Sequence, residues 1–134
     1  MHIAKRNNLL GGEHAMMVMG AVQDFRSGFT RLCYGPNFEE KKADYLKNAK
    51  VHLDRFSAYL GTNDFICGEL CFVDFALAEI LDHHLEMDET FLNDHENVAA
   101  YHRRFFNLPK IAEYRASDRF QSLPVINESA SWNL

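Results

Sequence analysis

The sequence predicts an all-α fold, a bundle of helices followed by an extended tail. Apolar residues recur every three or four positions through several long stretches, as one face of a helix requires. No stretch alternates apolar and polar residues with the period of two that marks a half-buried strand. The turn-forming residues Gly35-Pro36-Asn37, Gly61 and Pro109 fall between the periodic stretches.

The chain opens on Ile3, Ala4, Leu9 and Leu10 followed by Gly11-Gly12, which read as the last turns of a helix and its stop. From Glu13 to Cys33, Val18, Val22, Phe25, Phe29 and Leu32 trace a single helical face. Met16, Met17 and Met19 read as core and contact residues able to line a permissive apolar pocket. A second helix opens with Glu39 and Glu40 at the positive end of its dipole, repeats Leu46, Ala49, Leu53, Phe56 and Leu60, and stops at Gly61. It is expected to pair antiparallel with the first.

Residues 62–70 read as a loop. The stretch from Phe72 to Leu81 is apolar almost throughout, which predicts a helix buried on all sides. Asp74 sits where a carboxylate bonds back to the helix cap, Cys71, and Leu70 with Phe75 suits a hydrophobic staple. After an acidic turn, Val98, Tyr101, Phe105 and Leu108 form the face of a fourth helix, ended by Pro109. Pro109 then suits the first position of a short fifth helix with Ile111, Ala112 and Tyr114 inward, and residues 117–134 form the tail.

Hydrophobic residues make up 47% of the 134, enough for one folded core. The formal net charge is −5 and the basic residues occur only in scattered pairs, which excludes a phosphate-tracking surface and so a nucleic-acid partner. No apolar run approaches the ~20 residues of a membrane span, so no membrane partner is expected. The three cysteines, with Cys67 and Cys71 outside CxxC spacing, read as reduced thiols of a cytoplasmic protein. Cys33 ends a helix, where the dipole does not favour a thiolate, so it is not read as a nucleophile. His83, His84, Glu86, Asp88, His95 and His102 crowd one region without an HExxH or paired-histidine pattern, and are read as solvated helix ends with no metal site. Motifs for nucleotide binding or nucleophile-elbow hydrolysis are absent from the sequence.

Arg31-Leu-Cys-Tyr-Gly-Pro-Asn-Phe-Glu39 resembles the LCYNPDFE segment of mu-class glutathione transferases. The likeness continues in Phe56-Ser-Ala-Tyr-Leu-Gly61, in Phe72-Val-Asp-Phe75 at the family's capping box, in Arg104-Phe-Phe-Asn-Leu108 and in Ser131-Trp-Asn133, and so spans the chain. It implies a five-to-six-helix orthogonal bundle of the glutathione transferase C-terminal type over residues 11–134. Residues 1–10 are similar to the last helix of the family's thioredoxin-like domain and its linker.

The resemblance further implies that the complete enzyme conjugates glutathione to hydrophobic electrophiles. Glutathione binding and thiol activation reside in the thioredoxin-like domain, so these 134 residues alone are expected to be inactive and to need no cofactor. Tyr34 matches the tyrosine that donates a hydrogen bond to the oxygen becoming negative on the electrophile. Arg26 matches an arginine at the pocket mouth, and Ile126 and Asn127 match tail positions that cover the electrophile. Asp24 matches the aspartate that crosses the homodimer interface to the neighbour's glutathione; such a dimer is not expected of these residues by themselves.

Cys71 stands where the family has serine or threonine, so half of the capping box is expected to be lost at a cost of ~1 kcal/mol. Without the thioredoxin-like domain an apolar flank is expected to lie bare and sticky. The alternative reading is a non-catalytic helical module that binds a partner or a hydrophobic ligand.

Overall fold

The computed structural model describes residues 12–118. They form α1 (Gly12–Tyr34), α2 (Phe38–Leu60), α3 (Phe72–Met87), α4 (Glu96–Phe106) and α5 (Pro109–Arg115). Among the described residues there is no strand, only an isolated bridge between Cys67 and Glu69 in the loop before α3. The opening residues and the tail from 119 onward, with the expected helix remnant, Ile126 and Asn127, lie outside the described residues.

α1 and α2 stop where the sequence predicts, whereas α3 runs on to Met87 and α4 ends at Phe106, leaving Leu108, expected on its face, as the cap of α5. Gly35 follows the end of α1 at a position that only glycine fits, since a β-carbon there would meet the Arg31 carbonyl at 2.5 Å. Asn37, at φ 62°, turns the chain left-handed into α2, a conformation that asparagine tolerates better than most residues. Gly61, at φ 56°, ends α2 with its N–H on the Ser57 carbonyl at 2.9 Å. Pro109 starts α5, where its missing N–H costs nothing.

α1 packs on α2 and α3, α4 bridges α2 and α3, and α5 rests on α4. The stripe Val18, Val22, Phe25, Phe29 and Leu32 of α1 is buried, as are Leu53, Phe56 and Leu60 of α2 and Leu77, Ile80 and Leu81 of α3. Each such side chain contributes roughly 1.5–3 kcal/mol by leaving water. A polar stitch joins the ends of two helices: Asn97 of α4 donates to the Ser57 and Gly61 carbonyls, both at 3.1 Å, and accepts from the Ser57 hydroxyl at 2.7 Å. The Gly61 carbonyl just past the end of α2 thereby gains a partner, and the Ser57 carbonyl, already bonded by the Gly61 N–H, gains a second donor.

Three packing expectations need correction. α3 is not buried on all sides, since Phe72 and Phe75 are 43% and 48% exposed, and Phe75 meets Phe105 edge-on at 5.2 Å. α5 has no buried residue, and Tyr114 faces outward. Met16 and Met17 point to solvent, while Met19 alone of the three packs on the core. Helical periodicity identifies a face, but how much of it is covered depends on neighbours that a single helix does not specify.

Candidate functional site

α1 carries three of the residues singled out in the sequence, and all three are exposed. Asp24 and Arg26 flank the buried Phe25; at ~100° per residue they point to opposite sides of the helix. Their electrostatic neighbours show which sides. The Asp24 carboxylate acts on His52 of α2, whose imidazole is nevertheless held below its usual range by burial and by Arg55. The Arg26 guanidinium acts on His83 of α3, held down first by burial, with Glu79 and Asp82 opposing. Tyr34 is the last residue of α1 and 43% exposed, about 12 Å along the helix axis from Arg26. The fold therefore displays these three side chains along one rigid helix and does not gather them into a single cluster.

The start of α3 is assembled differently. Asp74 is wholly buried, and its carboxylate accepts from the Cys71 N–H at 2.8 Å, the Ile66 N–H at 3.1 Å and the Tyr101 hydroxyl at 2.7 Å. It thus ties the preceding loop, the cap and α4 to one point. The expected loss of the reciprocal half of the capping box is corrected in part. The Cys71 side chain occupies the box position facing the Asp74 N–H, but it makes no full cap hydrogen bond; that N–H reaches the Cys71 carbonyl at 3.0 Å. Sulfur is a weak acceptor, which explains a box that keeps its shape with one weak side.

The histidines are not simply solvated helix ends. His84 is fully buried, stacked on Phe25 at 4.2 Å and on Phe91 at 4.8 Å. Its Nδ1 lies 2.7 Å from the Ile80 carbonyl, which can only accept, so Nδ1 carries the proton and Nε2 accepts from the Tyr45 hydroxyl at 2.6 Å. Burial, with a smaller contribution from His83 and His52, pushes its pKa down to about 3. His95 meets Asp54 at 2.6 Å. His102 and Arg115 both donate to Asp82, at 2.9 and 2.7 Å. Burial opposes ionisation of Asp82, but these two partners outweigh it and hold the carboxyl below its usual range.

Among the described residues no three His, Cys, Asp or Glu side chains converge as a metal site would need. Asp82, His102 and Arg115 border a cleft of about 510 Å³ with Leu85, Glu86, Met87 and Glu89. Of the residues singled out in the sequence the cleft contains only Glu86 and His102, and none of those matched to the electrophile pocket; no local spacing announces it, since the partners of Asp82 are 20 and 33 positions away. Cys33 is completely buried and its thiol is pushed up to about 11 by that burial, which removes it as a nucleophile.

A helical bundle with a carboxylate-centred cap on its middle helix and an outward tyrosine ending its first helix belongs to a recognisable class. Residues 23–118 match the family model of the glutathione S-transferase C-terminal domain, and the chain belongs to that family. It is 36% identical to human glutathione S-transferase Mu 3 over 98% of its length, and 36% identical to the class-mu 26 kDa isozyme 51 of Fasciola hepatica over the same share. The chain spans 61% and 63% of those two proteins, respectively. The Pi-class glutathione S-transferase of Onchocerca volvulus superimposes with a TM-score of 0.82 at 27% identity, covering 97% of this chain and 67% of that one. The glutathione S-transferase Blo t 8 shares the fold at the same TM-score and 23% identity, over 96% of this chain and 65% of its own.

Proposed function

We propose that these residues form the electrophile-facing wall of a mu-class glutathione transferase, with Tyr34 donating to the oxygen that gains charge as the thiolate adds. The observation that carries this reading is the placement of Tyr34: a phenol at the end of a rigid helix, turned outward, in a fold shared with glutathione transferases. A donor fixed where negative charge develops is worth far more in the transition state than in the ground state. On this reading Arg26 stands on the α3 flank at the pocket mouth, and Ile126 and Asn127, outside the described residues, keep the electrophile-covering role that the resemblance gives them. Asp24, on the opposite flank, reaches the glutathione of a partner subunit in a homodimer. The resemblance assigns thiol activation to a thioredoxin-like domain and not to these residues. A cytoplasmic location accompanies the assignment.

The test joins the thioredoxin-like domain of human Mu 3 ahead of this chain and follows conjugation of glutathione to an epoxide and to an unsaturated ketone. Tyr34→Phe is expected to lower kcat by about tenfold to a hundredfold with KM for glutathione unchanged. Unchanged turnover with both electrophiles would remove Tyr34 from the site. The 134 residues alone are expected to wash through immobilised glutathione; saturable micromolar binding in a calorimeter would overturn the division of labour. The exposed Met16, Met17, Phe72 and Phe75 favour a second reading, a non-catalytic binding module. Ligand binding by the fusion without turnover would select it.

A further inference from the structure

We propose that Cys67 and Cys71 are a reversible dithiol–disulfide pair, in which Cys67 meets an external low-molecular-weight disulfide and Cys71 closes the bond. Their Sγ atoms lie 3.0 Å apart, so about 1 Å of approach separates the two thiols from a covalent bond. The chain between them is folded to return one sulfur to the other. Gly68 adopts φ 84°, a left-handed turn that glycine enters at little cost, and Cys67 bridges to Glu69. Both sides of this segment are anchored, because the Ile66 and Cys71 N–H groups donate to the same buried Asp74 carboxylate. The sulfurs are therefore held together by the fold and do not depend on chance encounter.

Exposure sets the order of events. Cys67 is half-buried and within reach of solvent, whereas Cys71 is 1% exposed. Burial, followed by the Cys67 contact and the Asp74 charge, pushes the Cys71 thiol up to about 12, so it does not initiate attack. The Cys67 thiolate, its proton lost to solvent, attacks one sulfur of the external disulfide; that S–S bond breaks and the first external thiolate leaves. Cys71 then loses its proton and attacks the Cys67 sulfur, expelling the second external thiolate. Two protein thiols are oxidised to one disulfide, and one external disulfide is reduced to two thiols. The serine or threonine of the mu-class pattern at position 71 cannot make this bond, so the pair is a departure belonging to this chain. The inference stands independently of the electrophile site.

The experiment treats the reduced 134-residue chain with bis(2-hydroxyethyl) disulfide and reads intact mass and peptide maps. The expected product has lost two hydrogens and yields a linked Cys67–Cys71 peptide, with the mixed adduct below about a tenth of the closed form, because intramolecular closure outpaces a second external attack. Cys71→Ser restores a hydroxyl cap, folds, and is expected to stop at a single adduct on Cys67. In Cys67→Ser, labelling of Cys71 is expected to slow at least about tenfold. A stable Cys67 adduct in the parent chain, or labelling of Cys71 as fast as Cys67, would overturn the proposal. So would equal labelling of Cys33, which is buried in α1 and marks whether the fold governs reactivity.

Discussion

The start of α3 and the outer face of α1 use polar residues in opposite ways. Asp74 is wholly buried and both of its oxygens are engaged, by two backbone N–H groups and a tyrosine hydroxyl. Asp24, Arg26 and Tyr34 stand on a helix whose inner face is just as firmly packed, but their own side chains are turned to solvent. A buried polar group closed off by protein partners holds the fold, because leaving any partner unpaired costs its full desolvation. An exposed polar group on a helix adds little to stability, and its deletion is felt chiefly where a ligand meets it. The two regions should therefore respond oppositely to the same chemical deletion.

Asp74→Ala is the most severe way to probe that contrast. It abandons the Ile66 and Cys71 N–H groups and the Tyr101 hydroxyl in a site that water does not reach, and is expected to cost about 3–5 kcal/mol, much of a small domain's stability. Urea unfolding followed by circular dichroism measures it. A loss below about 1 kcal/mol would mean that the loop and α4 do not depend on this carboxylate.

The buried histidine supplies the next largest effect. His84 is neutral in the folded state with its pKa pushed down to about 3, while an unfolded histidine titrates near 6.5. The unfolded chain therefore binds the extra proton first. Stability from this group is complete above about pH 6.5 and falls by about 1.4 kcal/mol per pH unit as pH drops toward the folded value. Carboxylates such as Asp82, ionised by His102 and Arg115, add their own loss at lower pH. Unfolding free energies between pH 7 and 5 check the histidine contribution, and His84→Phe should flatten that slope. Tyr45→Phe, which removes the hydroxyl donated to Nε2, is expected to cost about 1–2 kcal/mol in the same assay.

Much of the contrast was legible in the sequence, and the rest was hidden for definite reasons. The five helices follow from apolar spacing and from Gly35, Gly61 and Pro109, because those signals act within a few residues. The Cys71–Asp74 relation was equally visible, being a contact between positions three apart. Tyr101 and Ile66, the other partners of that carboxylate, were not, since a helix pattern says that a residue faces inward without saying what it meets. Phe91 and Leu92 sit in an acidic turn and carry no periodicity, yet both are buried and Phe91 stacks on His84. His84 itself, read from the sequence as a solvated helix end, is intelligible as a buried residue only because Ile80 and Tyr45 satisfy both of its nitrogens. For Tyr34 and Arg26 the residues alone said little; the resemblance to a family supplied their roles, and the fold supplied only their exposure.

The smallest expected change in stability is also the most discriminating. Tyr34→Phe and Tyr101→Phe each remove one oxygen and nothing else. At position 101 the lost hydroxyl leaves Asp74 with one donor fewer in a sealed site, and about 1–2 kcal/mol should go with it. At position 34 the ring remains on an exposed helix end and water replaces whatever the hydroxyl met, so thermal unfolding should shift by less than about 0.5 kcal/mol. In the fusion enzyme the proposed role reverses the order: the variant that barely changes stability should lose most of its turnover, because on that proposal the Tyr34 hydroxyl acts when charge appears on the electrophile. If Tyr34→Phe instead destabilised the chain as much as Tyr101→Phe, the outward tyrosine would be one more piece of the scaffold and the distinction between the two regions would collapse.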